Sequence, residues 1–248
     1  MNSIFSIFIT GLAAMCFASD SWALSSTSIE TNAVKLTNAP SWLTENRVER
    51  VTAKLQDTLE WDIRKISVTF VASQTEFDAH HKLGPGVLAF TRKREKTIEL
   101  GPRVINDNFD AVFGHELAHI IIGQKYTTDI PEWLEEGLCN WAAAWRTGSA
   151  KSKNPTIDYS WLSKQTYRPV AGLVHPFRTL SAGNEISDPV KYHYMASTAL
   201  AEMLDKQCGM HQLLQLALKK GVTKYLSQFC EISDIDQSLK KWIAKKKP

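Results

Sequence analysis

Cysteine, glycine and proline are all sparse in this 248-residue sequence, which holds only 4, 12 and 9 of them. That scarcity excludes a disulfide-dense scaffold, a collagen-like repeat and a low-complexity chain. An excess of one charge sign is also missing. Lys plus Arg number 29 against 26 Asp plus Glu, and five of the lysines, Lys240, Lys241, Lys245, Lys246 and Lys247, crowd the C-terminus. The rest of the chain is close to neutral, so it offers no broad basic surface to nucleic acid. The lysine tail reads as a solvated helix end whose cations complement the helix dipole. A disordered composition is excluded too, because 44% of residues are apolar and eight Trp and ten Phe call for a packed interior. The length suits a single domain with a substantial core. No later apolar run reaches the roughly 18 residues of a bilayer-spanning helix, so no stable membrane insertion is expected of the mature chain.

A shorter apolar run is present at the N-terminus. Ile4 to Phe17 is interrupted only by Ser6, Thr10 and Gly11. It falls short of the roughly 20 residues of a membrane span and fits the core of a secretory signal. Ser21-Trp22-Ala23 puts small residues where signal peptidases need them, so residues 1–23 are expected to be removed and 24–248 exported to the periplasm or beyond. No basic residue precedes the run, which leaves an uncleaved anchor or a buried N-terminal helix as the alternative. Met15 is a poor residue before Cys16, which disfavours a lipoprotein. Export permits disulfides. Cys208 and Cys230 flank C-terminal helices and could pair, whereas Cys139 sits in an apolar helical stretch as a small buried hydrophobe.

Periodicity places the elements. Residues 24–40, rich in Ser, Thr and Asn, read as loose. From Ser41 to Trp61, Val48, Val51, Leu55 and Leu59 recur at spacings of three and four, the signature of an amphipathic helix. Ile66 to Val71 alternates and is β-branched, as a strand requires. Gly84-Pro85-Gly86 should turn the chain into a strand over Val87 to Thr91, and the charged run Arg92 to Lys96 into another over Thr97 to Leu100. Helical patterns follow at 109–124, 131–146, 190–206, 210–219 and 234–245, with a loop-rich stretch at 147–190. The expected fold is α+β: a small N-terminal sheet packed on helices, then a mainly helical C-terminal half.

The chemistry lies between residues 115 and 140. His115-Glu116-Leu117-Ala118-His119 puts two histidines one helical turn apart, about 6 Å along one face. Both imidazoles can reach one Zn²⁺, which takes histidine nitrogens at about 2.0–2.1 Å. Glu116, beside the first ligand, can then take the proton of a water that the metal has made acidic. At the chain's own residue frequencies, roughly 0.01 matches to this pattern are expected by chance. A catalytic zinc needs a third protein ligand. Gly123 permits a turn after the first helix, and Pro131 opens a second that carries Glu132, Glu135 and Glu136. Helical period alone does not choose among these carboxylates. Taken singly, Glu132 and Glu135 read better as surface charges near a helix N-terminus.

Trp133-Leu134-Glu135-Glu136-Gly137, following His-Glu-x-x-His, resembles the gluzincin zinc metallopeptidases, and in particular the small bacterial enzymes of the peptidase MA-like family. That resemblance spans most of the mature chain and implies a zincin-like fold binding one Zn²⁺ per chain. It implies Glu136 as the third ligand beside His115 and His119, and Glu116 as general base. Asn140, one turn beyond Glu136, stands where thermolysin-like relatives carry an acidic residue that orients a zinc-bound histidine. Tyr194, in Tyr194-Met195-Ala196-Ser197, matches the tyrosine that donates to the oxyanion in aminopeptidase-type relatives, with Tyr192 and His193 as neighbours that compete for the role. Thr97 to Leu100 resembles the edge strand on which such enzymes lay an extended peptide. His80, His81, His175 and His211 show no partner pattern. The expected function is an exported zinc peptidase acting on peptides or proteins, with endopeptidase action favoured because no cluster to anchor a free amine is evident. The same site could instead serve a catalytically inactive zinc- or peptide-binding module, or an amidase of cell-wall peptides.

Overall fold

The computed structural model describes residues 27–81, 87–126, 130–146, 157–173 and 188–246. The apolar run 4–17, the cleavage site after Ala23, the Gly84-Pro85-Gly86 turn, His175 and most of 147–190 lie outside the described residues. Among the described residues the chain is mixed α/β, a five-stranded sheet followed by helices. No helix among them is long and apolar enough to cross a membrane.

The sheet runs β1-β2-β3-β5-β4. Ile29–Glu30 (β1) and Val34–Thr37 (β2) pair antiparallel, and the Thr31 hydroxyl accepts the Val34 amide at 2.9 Å to close their turn. Residues 24–40 are therefore not simply loose. Val34 and Leu36 are fully buried at alternate positions, a signal too short to stand out within a polar segment. Ile66–Phe70 (β3) lies parallel to both β2 and Thr97–Leu100 (β5). Ala89–Arg92 (β4) closes the edge antiparallel to β5. The edge strand is thus β4, and Thr97 to Leu100 is interior, which corrects the sequence expectation. Ile98 and Leu100, buried between two hydrogen-bonded neighbours, are what an interior strand needs.

Alternation gives the sheet two faces. Leu36, Val68, Ile98 and Leu100 join the main core with the helices. On the other face Phe90 packs with Phe77 of a short helix, Gln74–His80 (α2), which periodicity missed because it has one buried position. Glu45–Leu59 (α1) buries the stripe its spacing predicts: Val48, Val51, Leu55 and Leu59 are each fully covered. Thr44 caps its start, and Glu60, left-handed at φ 53°, caps its end.

Phe109–Lys125 (α3) is apolar nearly all round, with Phe109, Phe113, Leu117, Ile120 and Ile121 buried, as befits a helix with partners on several sides. It is fastened to α1 at both ends. Asp110, 1% exposed, takes Arg47 Nε and Arg50 Nη2 at 2.6 Å each, and Lys125 Nζ donates to the Leu59 carbonyl at 2.7 Å. Gly123 lies within α3 rather than ending it, and the helix runs on to Lys125.

Glu132–Arg146 (α4) packs between α3 and Asp188–Cys208 (α6). Gly137 permits the second contact, because a Cβ there would sit 2.4 Å from the Ser197 carbonyl oxygen. Tyr159–Leu162 (α5), Met210–Lys220 (α7), Val222–Phe229 (α8) and Ile235–Lys246 (α9) complete the fold, α8 being an addition to the expected helices. Cys208 and Cys230 form a disulfide and Cys139 is buried and free, which resolves the pairing. The lysine tail is not purely solvated. Lys246 Nζ reaches Glu202 Oε1 at 2.9 Å, on a carboxylate that also accepts from Tyr159.

Candidate metal centre

Three helices and one strand edge converge on a single cluster. His115 and His119 lie in the middle of α3, the stretch held between its two fastenings to α1. Their Nε2 atoms are 3.2 Å apart. Glu136, on the second turn of α4 and 1% exposed, places Oε2 3.6 Å from His115 Nε2 and Oε1 3.3 Å from His119 Nε2. Three ligands at about 2.0–2.1 Å from a tetrahedral ion stand about 3.3–3.4 Å from one another. The two histidine nitrogens stand close to that spacing, each has one Glu136 oxygen at a similar distance, and the two-nitrogen, one-carboxylate donor set is one that zinc accepts.

The resemblance singled out Glu136, whereas the structure engages both neighbouring carboxylates. Glu135 approaches the opposite side of the same ring, with Oε1 2.6 Å from His119 Nδ1. A proton on Nδ1 donated to that carboxylate leaves the Nε2 lone pair facing His115 and Glu136, the tautomer a metal requires. Glu135 is not a surface charge, as it read when taken singly, but is 7% exposed. Its two oxygens are also gripped by Lys93 Nζ, at 2.7 and 2.8 Å, from the turn between β4 and β5. Burial pushes the Glu135 carboxyl up, but hydrogen bonds and charge from His119 and Lys93 outweigh it and hold the carboxyl below its ordinary value.

Asn140, one turn past Glu136, lies beside His115 and hydrogen-bonds its ring. Burial draws the His115 pKa down, and Glu136, Glu116 and Asn140 only partly restore it. Burial also opposes charge on His119, yet Cys139, Glu136 and Glu135 around it hold its proton well above the usual range. Cys139 itself is pushed up to about 12 by burial, against the pull of His119. The pocket therefore favours positive charge at His119, and a bound cation would take the place of that proton.

Glu116 ligates nothing. Thr91 Oγ1 donates to its Oε2 at 2.7 Å and lies 3.1 Å from its backbone carbonyl oxygen. Thr91 reaches it because it sits on β4, opposite Ile98, on the sheet face turned towards α3. Tyr194 of α6 lies with its ring centroid 6.4 Å from that of His115. Burial, then the Glu136 and Glu116 charges, push the Tyr194 hydroxyl well above its usual value, so it is a protonated donor at any working pH. Tyr192, by contrast, turns its hydroxyl to the Arg168 amide at 3.0 Å, away from this role.

All six residues singled out in the sequence (His115, Glu116, His119, Glu136, Asn140 and Tyr194) are thus brought together. Lys93 and Thr91 were missed, and Glu135, named among the candidate carboxylates, was set aside as a surface charge. Thr91 and Lys93 left one trace in the sequence. They are alternate residues at the end of a strand, which share a face.

The chain matches no protein-family model, and no curated protein is significantly similar to it. The functional reading accordingly rests on the chemistry of the site.

Proposed function

We propose that this chain is a zinc-dependent peptidase of gluzincin type with a zincin-like fold. The observation that carries the reading is the convergence of His115 Nε2 and His119 Nε2, 3.2 Å apart, on the Glu136 carboxylate, whose Oε2 and Oε1 lie 3.6 and 3.3 Å from them respectively, beside Glu116, which stands outside that cluster. When bound, zinc supplies a Lewis acid for the scissile carbonyl and lowers the pKa of water there. The remaining steps belong to this chain. Glu116, its carboxylate aimed by Thr91, removes the proton of the attacking water and returns it to the departing amine. Tyr194 donates its hydroxyl to the oxyanion that develops on the carbonyl. Glu135 and Asn140 hold the two histidine rings in the orientation that the ligand set needs. β4, a terminal strand of the sheet among the described residues and the one that carries Thr91, is the edge on which an extended peptide would add as a further strand. The Cys208–Cys230 disulfide supports an exported protein, since such bridges persist in oxidising compartments.

The test combines metal content with turnover. Purified protein should carry about one zinc per chain, and zinc-loaded protein should cleave members of a mixed peptide library. Glu116→Gln keeps the side-chain volume but cannot take a proton, so it should keep the zinc and lose about 10²–10⁴-fold or more of the rate. Protein that binds no zinc after reconstitution would sink the proposal. Cleavage that persists in Glu116→Gln would mean a different base or a contaminating protease. Zinc binding without cleavage by either form would instead favour a binding module on the same fold.

A further inference from the structure

We infer that Lys93, in the turn between β4 and β5, is a positioning residue for the metal centre, setting through Glu135 how firmly His119 is held as a ligand. The inference rests on the zinc reading above. His119 touches the ligand triangle with Nε2 and Glu135 with Nδ1, so its ring direction is fixed by where Glu135 points. A carboxylate held at one oxygen can swing about its last bond. Glu135 cannot, because Lys93 Nζ bonds both oxygens while Oε1 also takes His119.

The path of the lysine stem is built into α3. Gly123 faces it, and a Cβ there would lie 3.1 Å from Lys93 Cδ and 3.4 Å from its Cβ. Any larger residue would press on the stem that carries the ammonium to Glu135. Two residues earlier on the same hairpin, Thr91 holds the Glu116 carboxylate. One hairpin therefore orients both the base and the partner of a metal ligand.

The experiment measures zinc affinity rather than turnover. Metal-free protein is titrated with Zn²⁺ in competition with a chromophoric chelator, for wild type, Lys93→Met, Glu135→Gln and the double variant. Lys93→Met keeps the stem along Gly123 and removes the ammonium. Each single substitution should weaken zinc by about 10–100-fold, the range for losing an outer partner of a ligand. The double variant should be no weaker than Glu135→Gln by more than about 2-fold, because Lys93 acts through Glu135. Lys93→Arg, which restores a cation with two donors, should recover most of the affinity. The visible spectrum of the Co²⁺-substituted protein should change in Lys93→Met and not in Lys93→Arg.

Unfolding in chelator shows whether each variant keeps its fold, and Lys93→Gln replaces Lys93→Met if the latter does not. Unchanged affinity on loss of the lysine, or a double loss equal to the product of the two single losses, overturns this inference alone. Wild type that binds no zinc overturns the zinc reading beneath it.

Discussion

Replacing Gly137 with alanine tests the packing that brings Glu136 to the histidines. The new Cβ would lie 2.4 Å from the Ser197 carbonyl oxygen and 3.2 Å from Ala201 Cβ. Real Cβ atoms essentially never come within 3.0 Å, so one helix must retreat by at least about 0.6 Å. A gap of about 0.5–1 Å forfeits a quarter to a half of the dispersion well for each contact across it. Overpacking of this kind costs about 1–3 kcal/mol. Against that, alanine in a helix interior is better than glycine by about 0.5–1 kcal/mol. The clash wins, and the net loss is about 1–2 kcal/mol. In a chain of this size that lowers Tm by about 2–8 °C. The measurement is thermal unfolding in chelator, so that metal linkage does not enter. Ala201→Gly should not rescue the variant, because the nearest atom is backbone. Gly123→Ala is the control. Its Cβ would meet only the lysine stem, at 3.1 to 3.5 Å, so its Tm should be unchanged or higher. A Gly137→Ala protein as stable as wild type would refute the reasoning.

Two further outcomes concern features outside the His115–His119–Glu136 cluster. Reducing Cys208–Cys230, separated by 22 residues, frees a loop whose closure is worth about 3 kcal/mol, so unfolding under reducing conditions should shift down by about 6–12 °C. No shift would mean that the bridge is absent in the isolated protein. Burial tends to raise the Glu99 carboxyl, but Arg92 and His80 hold it below its ordinary value. The stability it contributes is thus fully present above the usual carboxylate range and is lost as pH falls towards the folded value. Glu99→Gln should lower stability at neutral pH and flatten its decline between about pH 5 and pH 3, read by urea unfolding across that range. An unchanged acid limb would contradict the assignment.

The elements that announced themselves in the sequence are those that bury several residues on one periodic face. Helix α1 has four fully covered positions at helical spacing, and β3 has three alternating ones. Both were legible. β1 buries Ile29 alone, β2 only Val34 and Leu36, and α2 Phe77 alone, so nothing repeats often enough to register. The edge and interior strands were exchanged for a different reason. β4 and β5 both carry apolar residues, and only the parallel pairing of β5 with β3 decides which is enclosed. That pairing joins residues roughly 30 apart, beyond any local pattern.

The site divides along the same line. The two histidines and Glu116 were legible because a single helix holds them in fixed relation, whatever surrounds it. Glu135 and Glu136 stood as alternatives because a zinc site needs only one further ligand and helical period does not choose between them. The imidazole removes the dilemma, since it has two nitrogens on opposite sides. His119 enters between the two carboxylates and bonds Glu135 through Nδ1 while facing Glu136 through Nε2. Reading Glu135 as a surface charge failed for want of Lys93. A buried carboxylate beside a second one is costly unless a cation is at hand, and that cation arrives from a hairpin 42 residues earlier. Adjacent acidic residues at the start of a helix are therefore not rivals for a metal when a ligand histidine lies between them. One can bind while the other aims, and the sign of the latter is a basic residue that the fold brings to it.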